Sequence, residues 1–284
     1  MSQPEIYIRP SVGISRAVIA VIDDLQLHMQ HPEREQKYVH PIRVAIKRLR
    51  AWIRLIRNKS DIFDWRTIDR NLRDGMRKLS AKRDAQVILD TLKWLENKTG
   101  KNDEQSAIQV IRAHIQFDQS RHPVDWETIK SPFADVAETL KRQTLSVDSD
   151  DMIKKGLKRT YKRTFKYGEK AFSGHATFDD LHQFRKWVKY LCFQLGFIQA
   201  SYPDFHGQTR NRLDKLGNRL GRIHDLILVK DRLELLSSIE DCADASEITG
   251  KMVDKKSGKL LKRSNSLYRK VFASSPSEFT RYIS

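Results

Sequence analysis

His40, Arg43 and Lys47 recur later in the chain as His182, Arg185 and Lys189, each triplet spaced His-x-x-Arg-x-x-x-Lys. Steps of three and then four residues keep the three side chains on one face of an α-helix. In the first copy the face continues through Arg50, Arg54 and Arg57, and the six side chains share an arc of about 100°. The chemistry open to such a face is anion binding, with forked contacts from arginine, point charges from lysine and donated protons from histidine. Arg43 to Arg57 span about 21 Å along a helix, so the anion implied is extended rather than a single small phosphate. No Asp or Glu lies between positions 36 and 60. An ordinary solvated face mixes both signs, and a one-sign face calls for a compensating anion. The plain alternative is a solubilising basic surface, and repetition of the pattern argues against it.

The other side of this first helix carries Val44, Ile46, Leu49, Trp52, Ile53, Leu55 and Ile56, interrupted only by Arg48. That is a core-facing surface, and Trp52 and Trp187 read as packing residues rather than stacking platforms. A third basic helix is expected between Met152 and Phe172. It bears Lys154, Lys155, Lys158, Arg159, Lys162, Arg163, Lys166 and Lys170 against the single acid Glu169, with Ile153, Leu157, Tyr161, Phe165 and Phe172 opposite. Alone, a basic amphipathic helix suits a membrane surface or a partner helix equally well. Beside two His/Arg/Lys helices, a shared polyanion groove is the better reading. Lys155, Lys158, Arg159, Lys162 and Lys166 then join the candidate ligand residues, as does Lys186 on the second His helix. For Arg222 and Arg83, groove-lining and salt-bridging roles both stand open.

Composition points the same way. The 284 residues include 53 Lys plus Arg against 36 Asp plus Glu, a formal net charge of +17, which favours a polyanion or an anionic membrane as partner. Both sequence halves are basic. Cys192 and Cys242 stand apart without metal-ligand spacing, so no disulfide framework is expected and a reducing cytoplasm fits. The apolar stretch from Val12 to Ile22 is short and carries Arg16, so neither a membrane span nor a signal peptide is expected.

Catalysis finds little support. Chemistry on phosphoanhydrides needs carboxylates to hold Mg²⁺ and orient a nucleophile, and the stripes lack them. There is no Walker-type loop, His-Glu-x-x-His or Cys-x-x-Cys. Metal ligation by His40 and His182 would need further donors, and flanking arginines would repel the cation. Neither a catalytic residue, a metal nor a cofactor is expected. Asp84 and Asp225 read as structural acids that pair with bases or cap helices.

Helical periodicity runs from Ser11 onward with no alternation or hairpin turn, so the fold is expected to be all-α. The helices expected are 11–30, 40–58, 65–97, 103–119, 133–144, 151–172, 178–200, 209–239 and 257–274, with a short segment near 242–254. Thr177 and Asp180 form a near capping-box pattern, Asp150 or Asp151 caps the preceding helix, and Pro41 either starts its helix at His40 or kinks it there. Leu72 through Asp84 also matches Leu213 through Asp225, at an offset of 141 residues against 142 for the histidine motif. Two motifs repeated in order imply an internal duplication. The halves are 1–146 and 147–284, linked by the acidic, serine-containing segment from Ser146 to Asp151, and a pseudo-two-fold pair of four-helix bundles is the simplest architecture.

The run from His40 to Ala51 closely resembles the opening signature of the CHAD domain, the conserved histidine α-helical domain, and His182 to Tyr190 resembles its second signature. The segments Leu79 to Asp84 and Leu220 to Asp225 are similar to the family's small-residue turn leading to an Asp. The resemblance implies two four-helix bundles and a basic cleft that binds inorganic polyphosphate, without established catalysis. It places His40, Arg43, Lys47 and Arg50 in the first signature and His182, Arg185 and Lys189 in the second. Pro41 stands where a polar residue is usual, and Cys192 stands where the first copy has Arg50. Glu5 to Arg9 lacks the Glu-x-Glu-x-Lys strand of the triphosphate-processing domain fused to many relatives. The expected function is non-catalytic polyphosphate binding in the cytoplasm, extending to polyphosphate granules. Binding of a nucleic-acid backbone is the alternative, since its phosphates satisfy the same stripes. Against it, the basic faces carry no interleaved aromatics and no recognisable reading helix.

Overall fold

A computed structural model describes residues 11–30, 35–57, 64–79, 83–117, 127–145 and 149–283. The protein is all-α. Among the described residues the α-helices are α1 (Ser11–Met29), α2 (Glu35–Ile56), α3 (Trp65–Lys78), α4 (Arg83–Glu96), α5 (Asn102–Phe117), α6 (Glu127–Leu145), α7 (Asp150–Ala171), α8 (Phe178–Gln199), α9 (Gly207–Leu236), α10 (Ala243–Val271) and α11 (Pro276–Phe279). None of them is long and apolar enough to cross a membrane.

The helix boundaries follow local chemistry. The capping box of α8 is formed: Asp180 N–H donates to Thr177 Oγ1 at 3.2 Å and Thr177 N–H donates to Asp180 Oδ2 at 3.0 Å. At α7 the cap is Ser149, whose Oγ accepts from Met152 N–H at 3.3 Å, rather than Asp150 or Asp151. Those two acids lie in the first turn, where they complement the positive end of the helix dipole. The single helix expected over 65–97 is two. α3 closes at Leu79, whose N–H reaches Gly75 O at 3.2 Å, although no proline or glycine between 76 and 96 signals a break. α2 starts at Glu35, so Pro41 lies inside the helix and marks neither its start nor a boundary. α10 absorbs both the 242–254 segment and the 257–274 helix.

Two compact units form, each discontinuous in sequence. One comprises Met1–Leu79, Val124–Lys215 and Tyr268–Ser284, the other Ser80–Pro123 and Leu216–Leu267. These units describe packing, whereas the halves 1–146 and 147–284 describe a sequence repeat, and the two partitions do not coincide. In the first unit α2 packs against α1, α3, α7 and α8, and α7 packs along α8. Its core includes Ile42, Ile46, Leu49, Trp52, Ile53, Leu157, Phe184 and Leu195, all fully buried. The second unit has its own core, with Leu92, Leu95, Ile108, Ile111, Leu226, Val229 and Val253 at its centre.

Candidate anion-binding site

Three helices of the first unit bring their cations together because of what α7 omits. Gly156, Thr160, Thr164 and Gly168 recur every fourth residue and are all buried, a row of small side chains that permits close helix approach. At Gly156 an added Cβ would fall on the carbonyl oxygen of Leu55 in α2. At Thr164 the hydroxyl donates to Thr160 O at 2.7 Å and lies 3.4 Å from Trp187 O of α8. Gln194 of α8 donates to Ala51 O of α2 at 2.9 Å, wholly buried. With one side of α7 locked against its neighbours, its opposite side presents two rows at i,i+4 spacing. Lys154, Lys158, Lys162, Lys166 and Lys170 form one row, and Lys155, Arg159 and Arg163 the other.

A surface recess of about 580 Å³ runs along that face, lined by Lys155, Lys158, Arg159, Lys162, Arg163, Lys166, Tyr167 and Lys170. Lys155 has an acid of its own, Asp151, at 2.7 Å one turn back. Lys158, Lys162, Arg163 and Lys166 form no ion pair among the described residues. Phe165, expected on the apolar side, is instead 39 % exposed, with its ring 6.0 Å from that of Tyr268.

Where α7 meets α2 and α8, the cations crowd. Burial, followed by the neighbouring Arg159, Arg54 and Arg163, pushes the Arg57 guanidinium down to about 10. Burial and then Arg54 and Arg50 lower Lys186, and burial and then Arg163 lower Arg159. Burial is the larger cause for each, and the neighbouring cations push in the same direction. Aromatic faces hold part of the cluster in place. Arg54 lies 4.3 Å above the Tyr190 ring and Arg163 lies 4.8 Å above that of Trp187, which itself stacks on Tyr167 at 6.3 Å. Trp187 is 5 % exposed and Trp52 fully buried, so both pack as expected, and Trp187 adds a cation platform.

Acids enter this cluster too: Asp74 and Asp179 act on Arg50 and Lys186 through their charge, and Asp69 binds directly. Asp69 of α3 accepts from Arg50 Nε at 2.8 Å and from Arg54 Nη1 at 2.8 Å and Nη2 at 3.0 Å. Burial works to raise its pKa, but the hydrogen bonds from Arg54 and Arg50 prevail and hold the carboxyl at about 2. The first stripe is therefore compensated in part from within the protein.

The profile of the CHAD domain matches residues 16–234. The chain belongs to the CHAD domain family. No curated protein matches it. The crystal structure of the CHAD domain from the plant Ricinus communis aligns with a TM-score of 0.58 at 15 % identity, over 100 % of this chain and 94 % of that one; at that identity the likeness speaks for the fold.

Within this CHAD domain the signature residues separate into groups. Arg50, Arg54 and Arg57 meet Arg159 and Arg163 of α7 and Lys186 of α8. Arg43 is buried and donates to Met76 O of α3 at 3.2 Å, which gives it a structural bond. His40 is exposed, Lys47 and Arg185 are half-buried, and the His182 ring lies 6.3 Å from that of Phe178. Lys189 reaches Asp214 at 3.5 Å. Arg222 belongs to the second unit, where it sits 4.5 Å above the Trp94 ring; Asp225 lies 3.7 Å from His224 Nδ1, and the side chains of Arg83 and Asp84 fall outside the described residues. Sequence reasoning missed Asp69, Tyr190 and the small-residue row on α7. Only the last carried a signal, in its four-residue period.

Proposed function

We propose that this CHAD domain binds inorganic polyphosphate without transforming it, along the α7 lysine row and the cluster of Arg57, Arg159, Arg163 and Lys186. The CHAD family is linked to polyphosphate binding, and membership supplies the ligand class. The observation that carries the proposal for this chain is the cation-lined recess of α7 beside cations of α2 and α8, where burial and then neighbouring arginines bring the Arg57 guanidinium down to about 10. Such a cluster is strained by its own charge, and a polyanion with one charge on every repeat relieves it. From Lys154 to Lys170 the α7 row extends over about 24 Å, which suits a linear chain of phosphates. Binding without catalysis is part of the proposal. Among the described residues, the carboxylate hydrogen-bonded within the cluster, Asp69, is engaged by two arginines.

Replacement of Lys158, Lys162, Lys166 and Lys170 by Gln tests this directly. Gln is a good helix former, and removing like charges at i,i+4 relieves about 0.2–0.5 kcal/mol per pair. Calorimetry with long-chain polyphosphate should show at least a tenfold weaker Kd while the melting temperature holds or rises. Unchanged affinity would place the ligand elsewhere.

A further inference from the structure

We propose that Asp69 is a resident anion that fills the pocket between Arg50 and Arg54 and keeps phosphate out of it, which makes Asp69 a specificity-determining residue of the site. The inference rests on the polyanion reading and refines it. Both arginines belong to the first signature stripe, and the spacing alone would have them grip the ligand. Two nitrogens of each guanidinium are already committed to Asp69. Arg50 presents Nε and Nη2 to the two Asp69 oxygens at 2.8 and 3.4 Å, and Arg54 presents Nη1 and Nη2 at 2.8 and 3.0 Å. Arg54 Nη1 also donates to Arg50 O at 2.8 Å, and its guanidinium lies on the Tyr190 ring.

A phosphate entering this pocket would meet the carboxylate itself. The Arg50, Arg54 and Asp69 side chains are only 14, 13 and 18 % exposed, so little water screens the repulsion. Asp69 cannot easily withdraw, because Ile68 and Leu72 on either side of it are buried and fix the rotation of α3. The carboxylate thus sets one boundary of the ligand track. Arg159 and Arg163 line the recess, and on this proposal Arg50 and Arg54 act on the ligand only through the field they add.

The test replaces Asp69 with Asn, which keeps the shape and removes the charge, with Ser as a smaller second variant and Glu as the charge-conserving control. Circular dichroism establishes which variants are folded. Titration with pyrophosphate should show at least about a tenfold gain in affinity for Asp69→Asn or Asp69→Ser over wild type and none for Asp69→Glu. For long polyphosphate, two arginines newly open to phosphate should steepen the slope of log K against log salt by about 1.4. Pyrophosphate binding by the neutral variants that equals or falls below wild type overturns the inference. A wild type that ignores polyphosphate, with variants that gain pyrophosphate, would refute the polyphosphate reading and leave Asp69 as the occupant of the pocket.

Discussion

Asp69 is the residue on which local stability and site chemistry converge. Its folded pKa of about 2 lies below the ordinary value of 3.8, so its ionised form favours the folded state above pH about 4. That contribution is lost as pH falls toward 2. The shift corresponds to about 2 kcal/mol. Urea unfolding of wild type and Asp69→Asn should therefore differ by about that amount at pH 7 and converge near pH 2. A difference that persists unchanged at pH 2 would mean the carboxylate acts by packing rather than by charge. The acid also shows where the sequence falls silent. Arg50 and Arg54 are legible as cations on one stripe because helical period places them there. Their partner lies 19 and 15 residues away, respectively, on another helix, and no period links the two. The absence of acids from 36 to 60 marks α2 beyond its first residue, Glu35, as one-signed, yet it does not exclude an acid supplied by a neighbour.

At the scale of the helix, α7 decides whether the cluster exists. Gly is normally the poorer helix residue by about 1 kcal/mol relative to Ala, so on an unpacked helix Gly156→Ala would stabilise. Here the new methyl meets backbone of α2 at Leu55, which cannot rotate aside as a side chain can. The variant should lose stability by about 1–3 kcal/mol or more, measured as a lowered urea midpoint, and weaken polyphosphate binding as Arg159 and Arg163 move from Arg57. A gain in stability would show that the helices are not in close contact. The chain made much of this visible: the basic rows of α7, the Thr177 to Asp180 capping box and the all-α fold follow from spacing and local hydrogen bonding. Less visible were ends set by tertiary contact. α3 and α4 read as one helix because no proline or glycine lies between 76 and 96, although the turn-like segment from Leu79 to Asp84 spans the end of α3 and the start of α4. The start of α2 at Glu35 was hidden by a proline that commonly opens helices but is carried inside this one.

For the whole molecule the governing quantity is a net charge of +17, which draws any polyanion and cannot by itself select one. Selection must come from how closely charges and shape match along the track. Polyphosphate carries its charges on a thin chain without bases, whereas single-stranded nucleic acid usually gains from stacking on exposed aromatic rings. Trp187 and Tyr190 are buried with guanidinium groups against them, whereas half-buried Tyr167 lines the recess and half-buried Trp65 lies 5.5 Å from the Arg57 guanidinium. Binding of either polymer should weaken steeply with salt through counterion release, so salt alone does not separate them. Competition does. With the protein loaded with labelled long-chain polyphosphate at physiological salt, unlabelled polyphosphate should displace the label, while single-stranded DNA or RNA of equal total charge should need at least tenfold higher concentration. Displacement by nucleic acid at equal concentration would contradict the assignment of polyphosphate as the ligand.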